Sequence, residues 1–452
     1  MKHLVTRQYD SAVSESADVD SSLTFFLVND FSGLSRGRGF PTRDVEQFLR
    51  SGCGWVHANQ ALTPFGPIAD GHPFGPLGDL RLKADTAAEV YYAFGDGSQP
   101  MHFYLCDITD YAGKPWSCCT RTFLKKAIAD LYDETGLRII GSFEHEFTLT
   151  DIDEPAPPFS YRAYREIEGL CGEIVSALAA AGVGPEMILP EYGPGQVEVT
   201  LRPTSALKAA DNAVALREIV RELARRHGHH ATFAPKVSPV GVGNGVHVHF
   251  GLSRDDGTPV NYDAAGKGQL STTLSRFCAG VIKHLPALIA LTAPSGISNL
   301  RLQPHHWSAA YTCIGAQNRE ATLRICPATH GASPEKSHHV EFRAADGCAS
   351  PYLVMGALIR AGLAGIREEA ALPPLLTGDP SSMSQSEREE AGVHLLPGSL
   401  PEALAALDAD AEVRSWLSDD FRNCYQAMKS KELALLDGLT SEQMCKRYSS
   451  VY

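Results

Sequence analysis

Phe143-Glu144-His145-Glu146-Phe147 is the stretch of sequence that decides the fold, because it sets two carboxylates two residues apart between aromatic side chains. Alternate residues of a β-strand project from the same face. Glu144 and Glu146 would therefore share one face of a strand, while Phe143 and Phe147 would line the other. This pattern predicts a sheet with a packed apolar face and a polar face.

Three more stretches repeat this two-residue spacing of polar groups. They are Gln196-Val197-Glu198, His247-Val248-His249 and Glu341-Phe342-Arg343. A further carboxylate, Glu191, precedes the first of them in a glycine-containing loop. A hard divalent cation prefers several oxygen ligands, and clustered carboxylates without a cation repel one another and take up protons. The stretches together predict a polar, metal-holding funnel built on a sheet.

Each motif has an ordinary structural interpretation when it is taken alone. Two acids on a strand are more often a solvated face, a single histidine is more often hydrogen-bonded than metal-bound, and an arginine is as often in a surface salt bridge. The glycine-rich run 241–245 resembles a dinucleotide fingerprint. However, it lacks the final spacing and leads into a strand instead of a helix, and the chain contains no GxxxxGK[ST] motif. The joint occurrence of the motifs is what favours a functional site.

Composition limits the class of protein. The chain has 452 residues, 44% of them hydrophobic, and a net charge of −13, so it can bury a large core and is a poor match to nucleic acid or an anionic membrane. Its first thirty residues are too charged and serine-rich for a signal peptide, and we expect a cytoplasmic protein. The eleven cysteines are scattered without zinc-site spacing, which predicts reduced thiols in the core or at the surface.

Hydrophobic periodicity divides the chain into three parts. We expect a flexible arm over 1–22, a small β-rich domain over 23–113 and a large domain over 114–452 in which helices alternate with polar-faced strands. The predicted fold class is therefore α+β, with an antiparallel sheet flanked by helices. Predicted helices cover 121–136, 161–182, 206–226, 271–291, 352–370 and 399–409, and predicted strands of the small domain cover 23–30, 54–59, 79–85, 89–94 and 102–108.

The order of the motifs resembles the catalytic domain of the glutamine synthetase family. The series runs ExE, E…GQxE, NGxHxH, NRxxxxR and ExRxxD…PYL over roughly residues 141 to 366, and the carboxyl-terminal tail is similar too. The amino-terminal part is similar to the small β-grasp domain of that family. The resemblance implies an ATP-dependent ligase with two or more Mg²⁺ or Mn²⁺ ions per site.

The resemblance also implies a role for each matching residue. Glu146, Glu191 and Glu198 would hold one metal, and Glu144, His247 and Glu341 the second. The implied substrate-binding residues are Arg301 and Arg343, which would clamp the α-carboxylate of glutamate, with Gly243 and Trp307. Arg319, Arg324 and His249 would bind the ATP phosphates and take part in catalysis. Five glutamates and one histidine carry about −5, which two divalent ions would nearly balance.

Several positions depart from the family pattern. Relatives that use ammonia carry a glutamate six residues after the arginine that matches Arg301, and here that position is Trp307. An indole cannot attract ammonium as a carboxylate does, although it packs against an alkyl or aromatic amine. An alternative is that Trp307 only packs and another acid serves. Asp70 is a candidate for the aspartate that such relatives bring across a subunit boundary. The other departures are Val242, His339 and Ser350.

The leading hypothesis is a γ-glutamylamide synthetase that joins glutamate to an organic amine, with a role in amine breakdown. An ammonia-using glutamine synthetase is the alternative, and a non-catalytic, ring-forming relative is a third. The resemblance implies a homo-oligomer, a dodecamer of two stacked hexameric rings, with no nucleic-acid or membrane partner. It names neither the amine nor the preferred metal.

Overall fold

The computed structural model describes residues 21–152, 155–306, 308–328 and 331–452. The predicted arm lies almost entirely outside the described residues. The strands of the described parts are β1 (Leu23–Asn29), β2 (Ser35–Pro41), β3 (Cys53–Trp55), β4 (Leu80–Tyr92), β5 (Met101–Thr109), β6 (Arg138–Leu149), β7 (Pro185–Pro190), β8 (Gln196–Leu201), β9 (Thr204–Ser205), β10 (Ala231–Thr232), β11 (Val246–Ser253), β12 (Ile314–Ala316), β13 (Leu323–Cys326) and β14 (His339–Ala345).

Helices alternate with these strands and then dominate the carboxyl-terminal third. They are α1 (Val45–Ser51), α2 (Thr120–Thr135), α3 (Tyr161–Glu166), α4 (Glu168–Ala180), α5 (Ala206–Arg226), α6 (Thr272–Thr292), α7 (Ser298–Arg301), α8 (Pro334–Ser337), α9 (Pro351–Arg367), α10 (Gln385–Glu390), α11 (Leu400–Ala409), α12 (Ala411–Ser415), α13 (Asp419–Ala434) and α14 (Ser441–Ser449). Short 3-10 turns cover Thr42–Asp44, His57–Ala61, Lys267–Gln269 and Pro380–Ser382.

The first five strands form a sheet of their own, in the order β2-β1-β5-β4-β3. Strand β1 runs parallel to β5, and the other neighbours are antiparallel. The prediction of separate strands over 79–85 and 89–94 is wrong, because both belong to β4, whose register shifts between Ala84 and Glu89. An irregularity of this kind admits extra residues without ending the strand. The predicted strand 54–59 is also shorter, since β3 gives way to a 3-10 turn at His57.

The remaining nine strands form the large sheet that carries the polar motifs. Its main path is β12-β13-β14-β11-β6-β8-β7, with β9 and β10 pairing to β6. All pairs are antiparallel except β12 with β13. Phe143 and Phe147 are fully buried beneath the sheet, as their alternation with the glutamates predicts. The α+β class with a small sheet region and a larger helix-flanked antiparallel sheet is confirmed.

Helices α6 and α9 cross within the core, where Gly280 and Gly365 let their backbones touch. A Cβ atom on either glycine would collide with the other helix. Of the described helices, α6 alone is long and apolar enough to cross a membrane, but 78% of its most apolar window is buried inside the protein. It is therefore a core helix of this fold. All eleven cysteines are free and buried. This agrees with the prediction of reduced thiols and places them in the core, not at the surface.

The prediction of a single helix over 161–182 is wrong in one respect, because this segment is not continuous. It is divided into α3 and α4 by Ile167, whose φ of −120° and ψ of 14° interrupt the helical hydrogen bonds. By contrast, α5 has the predicted bounds, and α2 ends at Gly136 in the left-handed conformation that favours glycine. The boundaries predicted between domains stay predictions.

Candidate active site

The register of the large sheet brings the predicted metal ligands together from four strands. Glu144 on β6 lies opposite His247 on β11, and Glu146 lies opposite Glu198 on β8. On the other side of β11, His249 lies opposite Glu341 on β14. Residues that are more than fifty positions apart in sequence thus become neighbours on one face, which no local pattern could establish.

All of these side chains except His249 line one cavity of about 660 Å³. Of the predicted site residues, those that line it are Glu144, Glu146, Glu191, Glu198, His247, Glu341, Arg301, Arg319, Arg324, Arg343 and Gly243. His249 lines an adjoining cavity of about 430 Å³, which Glu144 also borders. Trp307 lies outside the described residues, but its neighbour His306 lines the first cavity.

Glu146 is held in place through one of its two oxygens. Its Oε2 accepts hydrogen bonds from the Gln196 side chain at 3.0 Å and from the Gly245 backbone at 2.8 Å. Gln196 also donates to the carbonyl oxygen of Gly243 at 2.9 Å. The sequence pattern includes Gln196, two residues before Glu198. It does not predict that Gln196 orients Glu146, because a pattern along one strand does not identify partners on another.

Two histidines surround Glu144. Nδ1 of His247 lies 3.1 Å from its Oε2, and Nε2 of His249 lies 3.1 Å from its Oε1. Burial alone would raise the pKa of Glu144, but these histidines hold it well below its ordinary value. Burial would likewise lower the pKa of His249, whereas its contacts with Cys326 and Glu144 raise it to about 10. Glu144 and His249 therefore form an ion pair.

Glu341 is the most deeply buried acid of the cavity and is paired with two arginines. Arg324 donates to its Oε2 at 2.7 Å, and Arg343 donates to its Oε1. Burial opposes its charge, but His247 and Arg343 lower the pKa of Glu341 to about 2. The Glu341 carboxylate thus accepts a hydrogen bond from each of two cavity arginines.

Glu198 and Glu191 have the opposite electrostatic environment. Burial, followed by repulsion from Glu144 and Glu146, raises the pKa of Glu198 to about 9. Burial and the charge of Glu146 raise the pKa of Glu191 as well. A carboxylate that resists ionisation among other carboxylates indicates that the protein alone does not balance the charge. A divalent cation would restore the balance.

Arg301 reaches the cavity from the end of the short helix α7. It is buried and donates to the carbonyl oxygen of Ala345 at 2.7 Å, while its Nε has no hydrogen-bond partner among the described residues. Gly243 passes so close to it that a Cβ atom there would press on both the Arg301 side chain and the Pro235 carbonyl oxygen. The glycine therefore permits the arginine to lie beside the loop.

Oxygen and nitrogen atoms in this cavity converge well enough to hold cations. Ligand atoms of Glu144, Glu198 and His247 lie within 4.8 Å of one another, as do those of Glu144, His249 and Glu341. Carboxylates with imidazole suit Mg²⁺ or Mn²⁺. A third group, His249, Cys326 and His339, meets the same distance limit. Sequence spacing missed Cys326 and His339, which lie on different strands.

Comparison with known proteins assigns the chain to a family. The family model described as "Glutamine synthetase, catalytic domain" matches residues 117–448, and the one described as "Glutamine synthetase N-terminal domain" matches residues 10–116. The chain belongs to the glutamine synthetase family. As a member, it is an ATP-dependent ligase that forms carbon–nitrogen bonds from small-molecule substrates, and membership implies a divalent metal.

Relatives in this family include enzymes with different acceptors. The chain is 32% identical to gamma-glutamylpolyamine synthetase of Streptomyces coelicolor, over 94% of this chain and 92% of that one. It is 31% identical to glutamine synthetase of Pyrococcus woesei, over 89% of each chain.

Solved structures share the fold over nearly the whole chain. A crystal structure titled as a novel glutamine synthase homolog superposes with a TM-score of 0.88 at 40% identity, covering 95% of this chain and 98% of that one. The apo form of GmaS without ligand superposes with a TM-score of 0.79 at 25% identity, covering 93% and 94%. The glutamine synthetase fold therefore positions all the strands that carry the cavity.

Proposed function

We propose that this glutamine synthetase relative joins the γ-carboxylate of glutamate to an organic amine, with ATP as the source of energy. The observations that carry the proposal are a cavity lined by the family's acidic and basic residues and the identity of residue 307, which follows the cavity-lining His306 in sequence and is tryptophan where ammonia-using relatives hold glutamate. The similarity to a gamma-glutamylpolyamine synthetase supports it.

The metal sites of the proposal use the ligand sets that the family resemblance implies, and the convergence of Glu144, Glu198 and His247 supports cation binding there. Glu146, Glu191 and Glu198 would hold one Mg²⁺ or Mn²⁺ ion, and Glu144, His247 and Glu341 a second. Gln196 and Gly245 hold Glu146 through its Oε2, so Oε1 would be the oxygen that binds the cation. When bound, the ions would neutralise phosphate oxygens and orient the transferred group.

The reaction then uses the cavity arginines in two roles. Arg301 and Arg343 would hold the α-carboxylate of glutamate, so that its γ-carboxylate can attack the terminal phosphorus of ATP and release ADP. Arg319, Arg324 and His249 would stabilise the charge on the transferred phosphoryl group. The amine nitrogen would next attack the carbonyl carbon of the γ-glutamyl phosphate, expel phosphate and lose a proton. Arginine forks suit both carboxylate and phosphate oxygens.

The nucleotide would extend from the phosphates into the adjoining cavity. Its wall is largely apolar, and includes Ile140, Leu201, Pro203, Phe250, Leu252 and Pro259, with Lys336 at one side. An apolar slot with a few polar groups suits a flat base with a ribose. Glu144 borders both cavities and would lie between the nucleotide and glutamate.

Apolar and aromatic residues in the wall of the main cavity support an amine with a carbon chain. Its wall includes Phe159, Met187, Leu189 and Tyr192. Among the described residues of one chain, every carboxylate that lines the cavity is one of the five proposed ligands. No described side chain of the same chain is therefore left to bind ammonium as an additional acid. Asp70, the sequence candidate, is exposed and pairs with Lys431 at 2.8 Å.

Acceptor selectivity provides the decisive experiment. ADP release is measured with glutamate plus ammonia, methylamine, ethanolamine, putrescine, isopropylamine or aniline. We expect an organic amine to give the highest kcat/KM. If ammonia gives the highest value, the amine proposal fails and the alternative, ordinary glutamine synthetase, stands. Undetectable nucleotide binding by calorimetry with Mg²⁺ would instead favour a non-catalytic relative.

A substitution at the acceptor position sharpens this test. Trp307→Glu should raise kcat/KM for ammonia relative to the best amine by at least about tenfold, which corresponds to about 1.4 kcal/mol of altered discrimination. Trp307→Phe is the matched control, because it keeps a neutral aromatic side chain. Equal selectivity in the two variants would show that residue 307 does not set the acceptor class.

The assembly and cellular role remain part of the proposal. We propose a dodecamer of two hexameric rings in the cytoplasm, acting in amine breakdown. The domain division near residue 113 belongs to the same proposal. Sedimentation velocity would test the assembly directly, since a dodecamer sediments far faster than a single ring.

A further inference from the structure

Three neighbouring strands of the large sheet bring together a group of ligands of which only His249 has a role in the proposed reaction. His249 lies on β11, His339 on β14 and Cys326 on β13, where Cys326 and His339 are directly paired across the ladder. Nδ1 of His249 lies 2.9 Å from Nε2 of His339. The thiol of Cys326 completes the group, with all three ligand atoms within 4.8 Å of one another.

The partners of the two imidazoles orient their nitrogens toward each other. Nδ1 of His339 lies 2.7 Å from the carbonyl oxygen of Ser337, so this nitrogen carries the proton and Nε2 carries a lone pair. Nε2 of His249 lies 3.1 Å from the Glu144 carboxylate, so the Nδ1 side of that ring faces His339. Two ring nitrogens that approach to 2.9 Å need a proton or a cation between them.

This arrangement is the one that metal-binding histidines adopt. A histidine ligand commonly donates its second ring N–H to a carbonyl or carboxylate group, which fixes the tautomer and the ring orientation. Thiolate and imidazole together favour Zn²⁺ and similar thiophilic ions over Mg²⁺. In a tetrahedral site with bonds of about 2.0 Å to nitrogen, the two nitrogens would be about 3.3 Å apart, so a shift of a few tenths of an ångström suffices.

We propose that His249, Cys326 and His339 form a separate site for a thiophilic divalent cation such as Zn²⁺, and that its occupation inhibits the enzyme. The cation would have three protein ligands and an open fourth position toward the adjoining cavity, which His249 and His339 both line. Inhibition follows because a bound cation withdraws His249 from the phosphoryl group. This second part rests on the proposed function, whereas cation binding itself does not.

Cobalt spectroscopy tests the site without reference to activity. Full-length enzyme with saturating Mg²⁺ is titrated with Co²⁺. We expect the near-ultraviolet absorption of a thiolate–cobalt bond and the strong visible bands of tetrahedral cobalt. Cys326→Ser should lose the near-ultraviolet band, while Cys53→Ser, a control in the other sheet, should keep it. His339→Gln retains the thiol and should bind Co²⁺ at least about tenfold more weakly.

Zinc inhibition tests the consequence. With Mg²⁺ held saturating, Cys326→Ser should require at least about tenfold more Zn²⁺ for half-inhibition than Cys53→Ser does. No thiolate band in the wild-type protein, or a band that persists in Cys326→Ser, would overturn the site and leave only a proton shared between two histidines. If the band behaves as expected but Zn²⁺ inhibits both variants equally, the inhibitory role is wrong. Failure of the amine assay would leave the spectral result unaffected.

Discussion

Two regions of this protein bury charge, and they do so in opposite ways. Arg121 on α2 is only 2% exposed and binds three acids, Asp211 on α5, Asp107 on β5 and Asp85 on β4. Tyr352 on α9 donates to Asp211 at 2.7 Å. The protein therefore supplies its own counter-ions here, and these contacts tie the small sheet to the helices behind the large one.

The acidic cavity lacks that internal balance. Its two best-placed arginines both contact Glu341, whereas burial and repulsion from Glu144 and Glu146 raise the pKa of Glu198. A buried ion network in which every acid contacts the same arginine is explained by structure alone, although its net contribution to stability is modest. A buried cluster in which neighbouring carboxylates raise the pKa of Glu198 is suited to bind a cation. The difference separates structural from functional charge within one chain.

Removing the central charge of the Arg121 network should have the largest effect on stability. Arg121→Met leaves three acids close together without their main partner, and breaking a buried ion pair from one side costs about 3–5 kcal/mol. Denaturant unfolding with metal present measures the loss. Lys125→Met is the control, since Lys125 contacts Asp85 and Asp107 from a partly exposed position and should cost less than about 1 kcal/mol. Equal losses of stability in the two variants would remove the distinction between the buried Arg121 and the partly exposed Lys125.

Metal removal should destabilise the protein in a pH-dependent manner. At a free concentration one hundred times its dissociation constant, Mg²⁺ would stabilise the folded state by about 2.7 kcal/mol. In the metal-free protein, burial and neighbouring charges hold the pKa of Glu198 near 9, above the ordinary value of 4.5. Between these values the folded state binds more protons than the unfolded state, so stability should fall as pH rises from about 5 to 9.

Thermal melts across that pH range, with EDTA and with excess Mg²⁺, provide the measurement. The two curves should diverge as pH rises, because bound metal replaces the proton. Curves that coincide after exhaustive chelation would mean that the glutamates do not hold a cation.

The sequence predicted the acidic cavity better than the network around Arg121. Alternation places Glu144 with Glu146 on one face of β6 and His247 with His249 on one face of β11, whereas strand register brings the two pairs together. Arg121 lies in a segment that predicted a helix, α2, but nothing local shows that its partners come from two strands and another helix. The proximity of Cys326 and His339 was not predicted for the same reason, because it depends on strand register.

Element bounds show the same limit. Helix α5 matched its prediction because apolar periodicity continues to its end. Strand β2, whose sequence is Ser-Arg-Gly-Arg-Gly-Phe-Pro, has little intrinsic preference for a strand and forms through its pairing with β1. The bulge in β4 also arises from pairing. Contacts distant in sequence therefore decided what local pattern could not.

The smallest expected change, and the sharpest, comes from one substitution made at two positions of the same cavity. Glu198→Gln removes a carboxylate that its neighbours repel, so the metal-free protein should gain about 1 kcal/mol while its affinity for Mg²⁺ falls at least about tenfold. Glu341→Gln removes the partner of Arg324 and Arg343 and should lower metal-free stability. Denaturant unfolding in EDTA compares the two. If both substitutions destabilise the metal-free protein, Glu198 is held by contacts of its own, and the excess charge that points to a cation is smaller than the geometry indicates.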